Sequence, residues 1–131
     1  MAKKASLILD TCALLWLAAG SNKLSGIALR RIDEATAIYV SAISGFEIAV
    51  KVARGKLKLP HAPNEWFHKV VTHHGIAVLP IEWEVCVAAA ELPYIHDDPC
   101  DRFIIATARL NGLPVVTKDE RFERYGLEVL N

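Results

Sequence analysis

Charge of one sign is what this sequence most plainly lacks. Fifteen Lys and Arg face fifteen Asp and Glu over 131 residues, so the formal net charge is zero. Proteins that live by non-specific attraction to nucleic acid usually show a basic excess, and that class is disfavoured. An enzyme acting on RNA stays open, because a metal site gathers acids locally while basic residues surround it. Long apolar runs are missing too: none reaches the roughly 18 residues of a membrane span. Cysteine is scarce and odd in number, with only Cys12, Cys86 and Cys100. The opening Met-Ala-Lys-Lys-Ala shows no secretory leader, so these read as reduced thiols in a cytoplasmic protein.

Several catalytic signatures are absent as well. No Gly-x-Gly-x-x-Gly follows the first apolar run, which argues against a dinucleotide site. Ser41 and Ser44 have no Gly-x-Ser-x-Gly context, which argues against a nucleophile elbow. His96 and Cys100 lie four apart, but no second Cys or His pair has ligand spacing and His73 and His74 are adjacent, which disfavours zinc. No linker, repeat or low-complexity stretch divides the chain, and its length is that of one domain.

What is present is apolar: 53% of residues, with a mean hydropathy of +0.26. A chain of this size buries roughly 65–70% of the surface its unfolded form exposes. The surplus points to an interface with another protein. Short β-rich runs alternate with helical ones. Strands are expected at 6–10 (SLILD), 37–41 (AIYVS), 76–80 and 114–117 (PVVT), with a fifth at 128–130. Helices are expected at 11–19, 25–35 with Ser25 as cap, 43–54, 63–73 with Pro63 near its start, 82–92 and 99–110. This alternation means a parallel sheet with helices on both faces.

In such sheets, sites form beyond the carboxyl ends of the strands. That rule selects four of the fifteen acids. Asp10 ends the first strand. Glu47 sits in the first turns of the helix after the second, Asp101 opens a helix, and Asp119 follows the fourth strand. The other eleven acids share no such placement. Clustered carboxylates raise one another's pKa unless a cation is bound. An all-oxygen set suits Mg²⁺ or Mn²⁺, and a metal so held supports phosphodiester hydrolysis. Each acid also has a plainer reading. Asp10 and Asp101 suit helix N-termini, Glu47 suits a pair with Lys51 four residues on, and Asp119 suits a turn. The joint placement is what favours a site.

Four segments match a family. LILDTCALLWL at 7–17, SAISGFEIAVKVARGKLKL at 41–59, HDDPCDRFIIATA at 96–108 and PVVTKDERF at 114–122 resemble a PIN-domain ribonuclease, specifically the toxin of a VapBC-type toxin–antitoxin pair. The resemblance implies that residues 1–131 form one PIN domain. Its fold would be a three-layer α/β/α sandwich with a central, mostly parallel sheet of four to five strands. It carries Asp10, Glu47, Asp101 and Asp119 over as metal-binding acids, with Ser41 and Thr117 as hydroxyls beside them. It implies a metal-dependent endoribonuclease, a homodimer and a cognate antitoxin. Cys100 departs from the family, whose members commonly carry an aromatic there; packing is the property it touches. Asp98 is the second choice to Asp101, as an outer or capping residue. Arg102, bordering the site, is a candidate for RNA or an antitoxin carboxylate; Lys51 and Arg54 fit phosphate contact or a solvated face equally. Trp16, Trp66 and Trp83 read as core, with one available for an interface. The competing functions are a housekeeping PIN nuclease in RNA maturation, a phospho-acceptor signalling domain and an inert binding module.

Overall fold

Five strands of two to four residues form one parallel sheet in a computed structural model that describes residues 6–131. The opening residues read above for a leader lie outside that range. In chain order the elements are β1 (Leu7–Leu9), α1 (Thr11–Ala19), α2 (Gly26–Glu34), β2 (Ile38–Ser41), α3 (Ile43–Ala53) and α4 (Pro63–His74). Then come β3 (Ile76–Leu79), α5 (Trp83–Glu91), α6 (Pro99–Asn111), β4 (Val115–Val116), a 3-10 helix (Glu120–Tyr125) and β5 (Val129–Leu130). The strand order is β3-β2-β1-β4-β5, every neighbouring pair parallel.

Strand alternation sorts the apolar residues onto two faces. Leu7, Leu9 and Val116 join Leu14, Ile48 and Trp66 in one core. Ile8 and Val115 join Ile104, Ile105 and Phe122 in the other. Both faces of β1 are therefore sealed, and Leu7, Ile8 and Leu9 are 0% exposed. This is the three-layer arrangement expected, with five strands, the upper of the numbers expected, and every pairing parallel.

The helix boundaries follow local chemistry. Ser25 caps α2 through its hydroxyl, which accepts from Ala28 N at 3.0 Å. Gly20 and Gly75 close α1 and α4 at φ of 63° and 64°, a left-handed turn that a Cβ would strain. The 3-10 helix after Asp119 was not expected from the sequence.

The topology selects a place for chemistry. From β1 the chain lays strands to one side as far as β3, and β4 and β5 lie on the other. The order reverses between β1 and β4, and the crevice beyond their carboxyl ends is where open parallel sheets place ligands.

Candidate active site

Asp10 stands at that crevice. It caps α1, its Oδ1 accepting from Ala13 N at 2.7 Å, and its Oδ2 accepts the Thr117 hydroxyl from across the switch. Thr117 Oγ1 in turn accepts from Asp119 N at 3.0 Å. One hydroxyl thus ties the end of β1 to the start of the 3-10 helix. The helix-cap reading of Asp10 is met by one carboxylate oxygen, and the other is turned toward Thr117 at the crevice.

The other acids converge on the same edge. The charge of Asp101 is felt against Asp98, Glu47, Asp10 and Asp119, and that of Asp10 against Glu47 and Asp119. Burial and these neighbours push Asp101 up to about 7 and Asp10 up to about 6, despite the bonds Asp10 receives from Thr117 and Ala13. Glu47 pairs with Lys51 through Oε2 at 3.5 Å, the pairing its helical spacing predicted. Its Oε1 is buried with no partner. A buried carboxylate oxygen left without a donor is costly unless a cation or water meets it.

Asp119 behaves differently. Arg121, two residues on, grips both of its oxygens, with Nε on Oδ1 at 3.0 Å and Nη2 on Oδ2 at 2.9 Å. The guanidinium holds this carboxyl down to about 2, against the raising effect of burial. The fourth acid is therefore neutralised by a residue of the chain itself.

His96 completes the cluster. It is 1% exposed, with Nε2 at 2.9 Å from Asp119 Oδ2 and 3.0 Å from Asp101 Oδ2. Its Nδ1 accepts from Asp98 N at 3.2 Å, which leaves Nε2 to carry the ring proton toward the acids. His96, Asp101 and Asp119 place ligand atoms within 4.8 Å of one another. The tautomer makes His96 a donor to the acids rather than a ligand beside them. The sequence weighed His96 only against zinc; its position just ahead of Asp97-Asp98-Pro99 was the signal for this role.

The remaining expected residues divide. Asp98 caps α6, its Oδ1 accepting from Cys100 N and Asp101 N, so the capping alternative describes it. Ser41 is buried and accepts from Ile43 N at 3.1 Å, turning the chain from β2 into α3 rather than touching an acid. A hydroxyl pair missed from sequence, Thr11 with Ser44 at 2.8 Å, joins α1 to α3 beneath the acids. Arg54 is exposed beyond α3.

Arg102 corrects the expectation that it meets RNA or a partner. It is 5% exposed, and its two terminal nitrogens donate to the carbonyls of Ala89, Ala90, Leu92, Pro93 and His96. The guanidinium clamps the connection between α5 and α6. Tyr125 holds the same loop, its hydroxyl donating to Pro93 O and accepting from Ile95 N and His96 N. Together they fix His96. Two other expectations turn out as follows. Trp83 is 72% exposed rather than core, while Trp66 is buried. Cys100 packs against the second core, and burial pushes its thiol up to about 11, consistent with a packing role.

A parallel sheet flanked by helices, with carboxylates gathered at its switch point, defines a class, and the PIN-domain family profile matches residues 7–127. The chain belongs to the PIN-domain family. Among individual proteins it is similar to Ribonuclease VapC22 of Mycobacterium tuberculosis (strain ATCC 25618 / H37Rv), 31% identical over 121 residues that make up 92% of each chain. Solved structures share the fold. One is VapBC2 from Rickettsia felis bound to a promoter DNA fragment, at a TM-score of 0.69 and 15% identity, covering 96% of this chain and 98% of that one. Another is FitAcB from Neisseria gonorrhoeae, at 0.63 and 22%, covering 95% and 96%. Family membership argues against the phospho-acceptor reading.

Proposed function

We propose that this chain is a divalent-metal-dependent endoribonuclease and the toxin of a toxin–antitoxin pair. Asp10, Glu47, Asp101 and Asp119 are its metal-holding acids, and Mg²⁺ or Mn²⁺ is the ion. The observation that carries the reading is Glu47 Oε1, buried and without a donor, beside Asp10 and Asp101, which burial first and neighbouring acids second hold above the usual carboxylate range. That donor set fits a hard cation, and all four acids supply oxygen. The similarity to a named ribonuclease over 92% of both chains supports the substrate class.

When bound, the metal would lower the pKa of a water and offset charge developing on the scissile phosphate. The chain's own residues prepare the place. Thr117 orients Asp10, His96 Nε2 holds Asp119 and faces Asp101, and Thr11 with Ser44 fixes the two helices that carry Asp10 and Glu47. Arg121 holds both oxygens of Asp119, so a metal bound there would share that carboxylate with the guanidinium.

A homodimer and an antitoxin belong to the same proposal, as does a cytoplasmic setting. Ile27 at 69%, Phe46 at 63% and Trp83 at 72% exposure supply apolar surface for such partners. Among the described residues no helix is long and apolar enough to cross a membrane. The test is cleavage of a mixed RNA pool by the purified chain. EDTA should abolish cutting, and Mg²⁺ or Mn²⁺ should restore it. Undiminished cutting in excess chelator would overturn the metal assignment, and no cutting with either ion would overturn the ribonuclease reading.

A further inference from the structure

An acid cluster repels the polyanion it is meant to cut, so cations free of carboxylate partners must stand nearby. Two cations at the site are already taken, Lys51 by Glu47 and Arg121 by Asp119. Arg102 is taken up by carbonyls. The indole of Trp16, half-buried on the outer part of α1, offers a different arrangement. Lys23 Nζ lies 5.9 Å from its ring centroid and Lys118 Nζ lies 5.7 Å from it. Lys23 comes from the loop between α1 and α2. Lys118 comes from the turn after β4, between Thr117, which binds Asp10, and Asp119. Both lysines are exposed, and among the described residues neither forms an ion pair.

We infer that Trp16, Lys23 and Lys118 form a phosphate-binding subsite for single-stranded RNA, next to the cleavage centre. Each ammonium is drawn to the electron-rich ring of one indole, and a phosphodiester met by both would gather two positive charges that come from separate segments. Ammonium groups bind phosphate as compact point charges without demanding a base sequence. Lys118 follows Thr117 and precedes Asp119, so the subsite shares its chain segment with two residues of the acid cluster. An acidic protein segment would meet the same charges. RNA is favoured because Lys118 lies in the chain between Thr117 and Asp119, and neither lysine belongs to α2, α3 or α5, which carry the exposed Ile27, Phe46 and Trp83. The inference rests on the ribonuclease reading above.

The experiment keeps the two apart. A fluorescein-labelled single-stranded RNA of mixed sequence is titrated with the chain in EDTA, where no cleavage is expected, over a series of salt concentrations. The same proteins are then assayed for cleavage with Mn²⁺. Joint Lys23→Gln and Lys118→Gln should weaken binding at least tenfold. It should also lower the slope of log affinity against log salt by about 0.7, the value for one phosphate neutralised on a single strand. In cleavage the loss should appear in KM with little change in kcat, and Lys118→Arg should retain most of the affinity. Wild-type binding matched by the double variant in both affinity and slope would overturn the subsite and leave the ribonuclease reading intact. No binding and no cleavage by wild type would overturn both. A double variant that keeps RNA affinity but loses an acidic protein partner would overturn the subsite in favour of a protein contact.

Discussion

Asp10 serves α1 with one oxygen and the crevice with the other, and substitutions can separate these duties. Asn keeps the N-cap acceptor, so Asp10→Asn should hold or raise the stability of the metal-free chain while cleavage falls by orders of magnitude. Asp10→Ala removes the cap as well and should cost about 0.5–2 kcal/mol. Urea unfolding in EDTA beside the cleavage assay distinguishes them; equal destabilisation by both would show that the charge is not under strain. The raised values of Asp10 and Asp101 make a second prediction. Both carboxyls hold their protons more tightly folded than unfolded. The stability this provides is complete below the ordinary carboxylate value and disappears as pH rises through about 6 and about 7. Asp119 has the opposite sign, but its contribution is already present above pH 3.8 and is lost only toward about 2. The Tm of the metal-free chain should therefore fall between about pH 5 and about pH 8, and Mn²⁺ should lessen the fall. A Tm that climbs through that interval in EDTA would count against crowded acids. The placement of Asp10, Glu47, Asp101 and Asp119 was legible because strand ends and helix starts can be found from composition. Arg121 was not singled out, although its spacing from Asp119 permits the bidentate pair, because a side-chain fork is indifferent to the periodicities that sequence reading follows.

At the scale of elements, the loop between α5 and α6 depends on a residue from α6 itself. Arg102 satisfies five carbonyls there. Arg102→Ala would leave them unpaired and should destabilise by roughly 3–5 kcal/mol, measured by denaturant midpoint. Arg102→Lys should recover little, because one ammonium cannot span the fork. A variant that folds normally but binds RNA weakly would instead restore the surface role. The strands and most helices were legible to within a residue or two, since Ser25, Gly20, Gly75 and Pro63 each mark an end by a local mechanism. The burial of Arg102 was not. An arginine beside an aspartate at a helix start looks solvent-facing, and only the return path of residues 92–98 turns it inward. The 3-10 helix was missed because only local signs mark it, the Asp119 cap at its start and Gly126 at its end.

For the whole molecule, neutrality conceals separation. Acids gather at one sheet edge while Lys23 and Lys118, which form no ion pair among the described residues, meet at Trp16, and a sum of charges reveals neither. The apolar surplus was legible as a need for a partner, and the exposed Trp83, Tyr94 and Ile27 show part of where it went. Light scattering on the isolated chain should report a dimer, with Trp83→Ser shifting the equilibrium toward monomer if α5 lies in the interface. A strictly monomeric wild type at high concentration would count against self-association.

The bond from Thr117 to Asp10 crosses 107 positions of sequence, and β1 has β4 as its neighbour on that side. During synthesis at about 5–20 residues per second, the first half of the crevice waits roughly 5–20 s for the second. A ribosome halted between residues 101 and 117 leaves a chain holding Asp10, Glu47 and Asp101 but neither the hydroxyl that orients the first nor the fourth acid. The four carboxylates can therefore meet only in a chain made past residue 119, when synthesis is nearly finished.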